Sequence, residues 1–588
     1  MKWFRHIGLS LALISLYAAQ SHACGGFFCS NVPMNQAAER ILFVKRDDGK
    51  MTTHVQIQYS GEKTDFAWIL PVPSVPELGV SHNGIFQQLQ FATQPTFQLE
   101  WEESDCPLFF PPVFRAEDAV ATAAPGADGV QVIAEQRVGP YDTAIIASDD
   151  PAAMIDWLVT NGYQLGNLGA DLLQPYTYGG FFFLALRLAP DRDVGDLQPI
   201  AMTYDADMPG IPIKLTAIAA EPDMGVLVWV LGQNRAIPEN YLHVQINEAS
   251  IDWLSGGGNY DQVVTEAANE AGGQAFATEY AGKSTIMQDR IYRQGQYDNL
   301  ELLSSRTDPN SFLEGLLILG FPRDTQMQTL IRRHIPIPQR VWDEGVLQVI
   351  YRGNVEEYER ARADSVSFNA TVEQWFYNNM QSFAEYTTDI SFDPAAFVRD
   401  IQSVIVEPLK NAQELFGQHP YLTRLYTTLS ADEMTVDPMF AFNADLPDLS
   451  NIHQAKAKYI CPQGADTKPE DHEVLITLSD GRELRVKPQF FGIPGPIPLP
   501  RPEFVDPAFS PLAASRIERM ALTGAPALIR GLTLATPDFD NNGSVDFDDF
   551  LAFGSAFGKR DPAFDLTGDG KVDFHDFLNF VQAFKAAE

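Results

Sequence analysis

Cysteine is almost missing from this chain, whose 588 residues hold only Cys24, Cys29, Cys106 and Cys461. No CxxC or HExxH spacing occurs and the ten histidines stand singly, so zinc has no ligand set. Basic residues are also scarce: 41 Lys and Arg face 77 Asp and Glu, a formal charge of −36. Nucleic acid and anionic membrane surfaces need clustered cations and are excluded as partners on that ground. The nucleophile elbow GxSxG, the Walker loop and a strand-borne GxGxxG are absent, so no motif announces hydrolytic or nucleotide chemistry. Beyond the N-terminus there is no run of about twenty apolar residues, and no transmembrane segment is expected in the mature protein.

What is present begins with an export signal. Lys2 and Arg5 precede the apolar stretch Ile7 to Ala19, and Ser21-His22-Ala23 sets small residues at −3 and −1 of a cleavage site. Residues 1–23 therefore read as a signal peptide, placing the chain in a secreted, periplasmic or cell-surface setting with its mature start at Cys24. A lipoprotein would carry lipid on that same Cys24, but Ser-His-Ala lacks the Leu-like residue of a lipobox. An even cysteine count in an exported chain favours disulfides. Three pairings are open; Cys24 with Cys29 closes a small loop and leaves Cys106 with Cys461.

The tail states one metal-binding idea twice. Asp538, Asp540, Asn542, Ser544, Asp546 and Asp549 occupy positions 1, 3, 5, 7, 9 and 12 of a calcium loop, with Gly543 at the sharp turn. Asp565, Thr567, Asp569, Lys571, Asp573 and Asp576 repeat the frame around Gly570, with Ser544 and Lys571 contributing backbone carbonyls. Calcium takes about six to eight oxygens, so the expected cofactor is two Ca2+ ions. Pro537 and Pro562 leave no room for a helix entering either loop, but apolar runs Phe550 to Phe557 and Phe577 to Phe584 follow with helical spacing. Such units can bury Phe550, Phe553, Phe577 and Phe580 only against each other.

This tail resembles a type I dockerin, with Asp549 and Asp576 at position 12 and Val545 and Val572 at position 8. The resemblance implies a cohesin-like protein partner. Thr567 departs from the usual Asp or Asn, and Phe547-Asp548 and Phe574-His575 replace the small hydroxyl residues of many such modules. A self-contained anchoring or spacer module is the alternative.

Ahead of the tail the chain is first strand-like, then helical. Runs such as Ile41 to Val44, His54 to Tyr59, Ala67 to Leu70, Phe181 to Leu188 and Val226 to Leu231 are β-branched or aromatic and punctuated by turn residues. Helices are expected near 151–160 and 260–276, and then over 311–319, 324–334, 372–386 and 394–416. A hairpin follows at 473–486, and Gly492 to Pro502 is a proline ladder read as a spacer rather than a recognition sequence. The expected division is 24–285 β-rich, 286–445 helical, 446–491 a Cys-containing hairpin region, 492–536 linker and 537–588 calcium module.

The body resembles a bacterial secreted family catalogued as domain of unknown function 2330. The resemblance rests on Cys24-Gly-Gly-Phe-Phe-Cys29, Phe66 to Pro76, Pro420 to Leu429 and Asp445 to Asn451, and spans residues 24–491. It implies no activity and supplies no catalytic residues. Ser255-Gly-Gly-Gly258 could cradle an anion, though a loop before a helix start is the simpler reading. Trp68, Trp101, Trp157, Trp229 and Trp253 could form a sugar platform, but Trp68 and Trp229 sit in apolar strands and read as core. The expected fold class is α+β: a β-rich N-terminal body with a helical subdomain, plus a small all-α calcium-loop module. The expected function is noncatalytic surface display with docking through the tail, the alternative being a secreted hydrolase acting on polysaccharide.

Overall fold

The computed structural model describes residues 36–56, 67–102, 131–161, 163, 170–192, 196–217, 220–388, 390–460, 473–486, 515–531, 539, 545, 547–559, 564, 566 and 572–586. The signal peptide, all four cysteines and the proline ladder lie outside these residues.

Ten strands form one sheet in the spatial order 527–530, 516–519, 242–245, 275–283, 421–429, 220–232, 36–45, 50–56, 200–205, 77–80. The central strand Gln36–Lys45 runs parallel to Ala220–Gly232, with Ile41 opposite Val228 and Phe43 opposite Val230. Ile41-Leu-Phe-Val44 is apolar without alternation because both faces of the sheet are covered. Leu42 and Val44 pack with Trp229 under the helices of residues 294–418. Ile41 and Phe43 face a second, four-stranded sheet of 67–72, 182–188, 141–147 and 131–138, meeting Trp68, Leu184 and Leu186. The helices Pro151–Thr160 and Ala170–Tyr178 close that sheet's outer face through Met154, Trp157, Leu158 and Leu173. Four layers result, helix on sheet on sheet on helix. A third sheet joins 96–101 to 452–460, 473–477 and 483–486 around Trp253.

The chain is thus mixed α and β with a sheet-rich body, and several boundaries move. The helical region ends at Gln418: Tyr421–Leu429 returns to the centre of the ten-stranded sheet, and Phe440–Asn443 pairs with Arg235–Pro238. The strand Tyr421–Leu429 shows no apolar–polar alternation, Leu422, Leu425 and Leu429 falling at helical spacing, so only its β-branched and aromatic content points to a strand. The helix expected over 260–276 stops at Glu270, because Gly272 and Gly273 adopt left-handed φ and Ala275–Lys283 is a strand. The hairpin at 473–486 forms as expected, but Ile452–Ile460 beside it pairs with Thr96–Trp101, so the region is no separate unit.

The linker expected over 492–536 is shorter than that. Arg516–Arg519 and Ala527–Arg530 form a hairpin that extends the ten-stranded sheet through Leu242–Gln245. Charged side chains hold it there: His243 meets Glu518 at 3.2 Å, Arg530 donates to Glu270, and Glu270 also accepts the Ser515 amide at 2.8 Å. Proline density drew attention to 492–502, and the short strands beyond it carried too weak a pattern to notice.

The single helix expected over 394–416 is three pieces running to Gln418, with a wide π segment at Gln402–Val406 just before Pro408. Pro408 has no N–H to give the Val404 carbonyl, and its ring crowds that oxygen. Gln198 supplies the missing donor, Nε2 to Val404 O at 3.0 Å.

Two buried imidazoles make this body acid-sensitive. His54 Nδ1 lies 2.8 Å from Ser81 Oγ, and His82 caps the helix Asn83–Thr93 by accepting the Gly84 amide at 2.9 Å. Burial pulls both down to about 4, well below 6.5. Each is therefore neutral when folded, and its contribution is complete above about pH 6.5 and lost as pH falls towards 4. The loss is about 3 kcal/mol per imidazole at the acid end. His82→Asn keeps a capping oxygen and cannot titrate, so it should flatten the melting-temperature profile between pH 6.5 and 4. A profile identical to that of the parent chain would refute this role for His82.

Candidate functional site

In the tail, the helices Phe547–Ala556 and Phe574–Ala586 are described, and Val572 bridges the two units by accepting from Gly558 N at 2.7 Å and donating to Lys559 O at 2.9 Å. Of the twelve expected ligands, Asp538, Asp540, Asn542, Ser544, Asp546, Asp565, Thr567, Asp569 and Lys571 lie outside the described residues. Asp549 and Asp576 are described and wholly buried, and Asp573 is half-buried. The Phe539 amide donates to Asp549 Oδ1 at 2.6 Å, and the Asp573 amide to Asp576 Oδ2 at 2.7 Å. Among the described residues no three His, Cys, Asp or Glu side chains cluster to hold a metal ion. The donor set fits a hard divalent cation nevertheless: both loops supply oxygen alone, and their twelfth carboxylates are buried, which is costly without hydrogen bonds or a cation.

The expected burial of the four tail phenylalanines holds for Phe553 and Phe580, which stack at 5.7 Å, while Phe550 is exposed. Phe547 and Phe574, at equivalent places in the two units, are 61% and 59% exposed. Ring contacts run from Phe547 to Phe550 (5.7 Å), to Phe577 (6.4 Å) and to Phe574 (6.0 Å), a continuous aromatic strip across both helices.

Among the described residues the body holds several cavities of ligand size, and two of them lie against the ten-stranded sheet. One, of about 330 Å³, lies between the two stacked sheets beside Phe43, Trp68 and Tyr176. Its polar groups are engaged: Tyr176 donates to Asp437, Asp437 also accepts the Lys214 amide at 3.1 Å, and Tyr204 meets Thr53 at 2.8 Å. It is an apolar gap between sheets.

The other, of about 560 Å³, is polar and opens on the helix-side face of the ten-stranded sheet. Neighbouring strands present Arg40, Gly225, Arg424, Tyr426 and Thr428 to it, while Gln90 and Gln94 come from the end of the helix Asn83–Thr93. Glu279 reaches it because a β-bulge between Thr278 and Tyr280 breaks the ladder there. Arg424 is fully committed: Nε donates to Glu279, Nη1 approaches Gln90 O and Thr93 Oγ1 at 3.4 Å, and the guanidinium lies 5.4 Å over the Trp229 ring. Burial, then the Glu279 carboxylate beside it, pushes the Tyr260 hydroxyl well above its usual range, and burial with Asp261 does the same to Tyr426. Gly225 admits Tyr426: a Cβ there would meet the Tyr426 hydroxyl at 3.2 Å.

Sequence reasoning reached only the rim of this cavity. Gly256 and Gly257 line it with left-handed φ, but the amides of Gly256, Gly257 and Gly258 are bonded to Trp253 O, Asp252 O and Ser255 Oγ, so the loop is no anion cradle. The tryptophan platform dissolves as well. Trp68, Trp157, Trp229 and Trp253 are core, and only Trp101 is exposed, stacked on Tyr459 at 4.8 Å. Single charges inside otherwise buried strands, Arg424 and Glu279, were the signal available.

No described helix is long and apolar enough to cross a membrane. No curated protein and no solved structure matches the chain. A family model does, over residues 18–333, so the match includes Cys24 to Cys29 and Phe66 to Pro76 but ends before Pro420 to Leu429 and Asp445 to Asn451. It covers more than half of the chain, which accordingly belongs to the family described as uncharacterized protein conserved in bacteria (DUF2330).

Proposed function

We propose that this is an exported binding protein without catalytic activity, displayed through a calcium-folded tail that docks to a cohesin-like protein. The carrying observation is the aromatic strip in which Phe547, Phe550 and Phe574 stand exposed around the half-buried Phe577, on a module too small to waste apolar surface. Its repetition in both units offers a partner two similar faces. Against a polysaccharide hydrolase stands the state of Glu279, the buried carboxylate of the polar cavity. One of its oxygens is taken by Arg424 Nε in a buried ion pair, so the carboxylate is committed to the fold rather than placed to work on a glycosidic bond. Export would oxidise the cysteines.

The test is capture from the secreted fraction of the source organism, in calcium and in EDTA. A protein partner should be retained only in calcium and lost with Phe547→Ser and Phe574→Ser together. A tail that folds on calcium but captures nothing would remove docking from this reading. Mass spectrometry of the mature chain should show an unlipidated Cys24 and no free thiol.

A further inference from the structure

Arg40 is the one arginine of the polar cavity with no carboxylate beside it among the described residues. Among the described residues its one hydrogen bond runs from Nη1 to Gln56 Oε1 at 3.3 Å, and the charge beside it is the like charge of Arg424. In a chain with nearly twice as many acids as bases, a half-buried guanidinium with no counter-ion among the described residues is unexpected. Leaving it uncompensated costs free energy unless something else supplies the negative charge.

The rest of the cavity indicates what that is. Gln94 offers an amide along its length, Thr265 and Thr428, whose hydroxyl protons are given to Asp261 O and to Thr265 Oγ1, keep oxygen lone pairs that can accept, and Phe97 with Tyr260, rings 5.7 Å apart, gives an apolar wall. Ligand hydroxyls donating on one side and a C–H face on the other match that lining. Phosphate fits poorly: no lysine lines the cavity and the glycine amides are already bonded. A planar guanidinium fork matches a carboxylate through two parallel hydrogen bonds.

We propose that this cavity binds a hydroxylated carboxylate of sugar-acid type, its carboxylate on Arg40 and its hydroxyls along Gln94, Thr265 and Thr428. The site lies in the body and stands apart from docking by the tail.

The experiment is calorimetric titration of the full chain with galacturonate, glucuronate, glucose, acetate and inorganic phosphate, in calcium and again in EDTA. At least one uronate should bind, tenfold or more tighter than glucose, acetate or phosphate, and equally well in both conditions. Arg40→Gln should weaken that uronate at least tenfold without lowering the melting temperature, and Arg40→Lys should recover part of the loss. Gln94→Ala, which removes one of the proposed hydroxyl contacts, should weaken the uronate and serves if Arg40→Gln fails to fold. Binding of neither uronate, equal binding of glucose, tighter binding of phosphate, or no effect of any of these substitutions would overturn the proposal. Loss of docking with uronate binding intact would count against the tail alone.

Discussion

Arg424→Met should destabilise the body by about 3–5 kcal/mol, the scale on which breaking one partner of a buried ion pair acts. The side chains of Arg424 and Glu279 are 4% and 1% exposed, so the carboxylate left behind has no water to turn to. The Gln90 carbonyl and Thr93 hydroxyl lose a donor at the same time, and Trp229 loses the cation over its face, worth roughly 0.5–2 kcal/mol. Denaturant unfolding of the calcium-loaded chain, followed by tryptophan fluorescence, measures this. Adding Glu279→Gln should return a substantial part of the loss, because the stranded charge is then gone. A loss under about 1 kcal/mol would mean that the pair is open to solvent rather than buried.

Calcium removal should have an equally large but separate effect. Clustered loop carboxylates repel one another without a cation, and the tail core is small: Phe553, Ala556 and Val572, with Phe539, Phe564 and Phe577 against them. A ligand present at about a thousand times its dissociation constant adds about 4 kcal/mol, as much as so small a core is expected to hold. Calorimetry of the whole chain should show a tail transition in calcium that vanishes in EDTA, with the body transition in place. Asp576→Ala should abolish the tail transition even in calcium, since its carboxylate holds both the expected ion and the Asp573 amide. A tail that melts identically in calcium and EDTA would end the metal reading.

Local pattern carried much of the fold. The hairpin at 473–486 and the apolar run Ile41 to Val44 were legible because a turn dipeptide or an unbroken apolar stretch decides them locally. Pairing was not legible. Nothing within Tyr421–Leu429 says that it lies between two strands more than 130 residues upstream, since partners are chosen by tertiary packing. The expected calcium frame is a pattern of consecutive residues and so can be written from sequence, whereas the polar cavity draws Arg40, Gln90, Glu279 and Arg424 from four distant segments. Only assembly of the sheet brings those together. Arg40 even lies inside an apolar strand where sequence alone suggests a snorkelling surface residue.

The hairpin at 516–530 also has a mechanical meaning. Arg530 closes the last strand before the tail, and its grip on Glu270 ties that strand to the helix Tyr260–Glu270 rather than to its neighbouring strand alone. Tension applied through the tail would therefore reach the sheet at Arg530, where this clasp and the ladder pairing with Ile517 share the load. While the clasp holds, load passes into a helix packed through Val264 and Ala267 on the sheet, and the outermost strand is shielded from being peeled away one bond at a time.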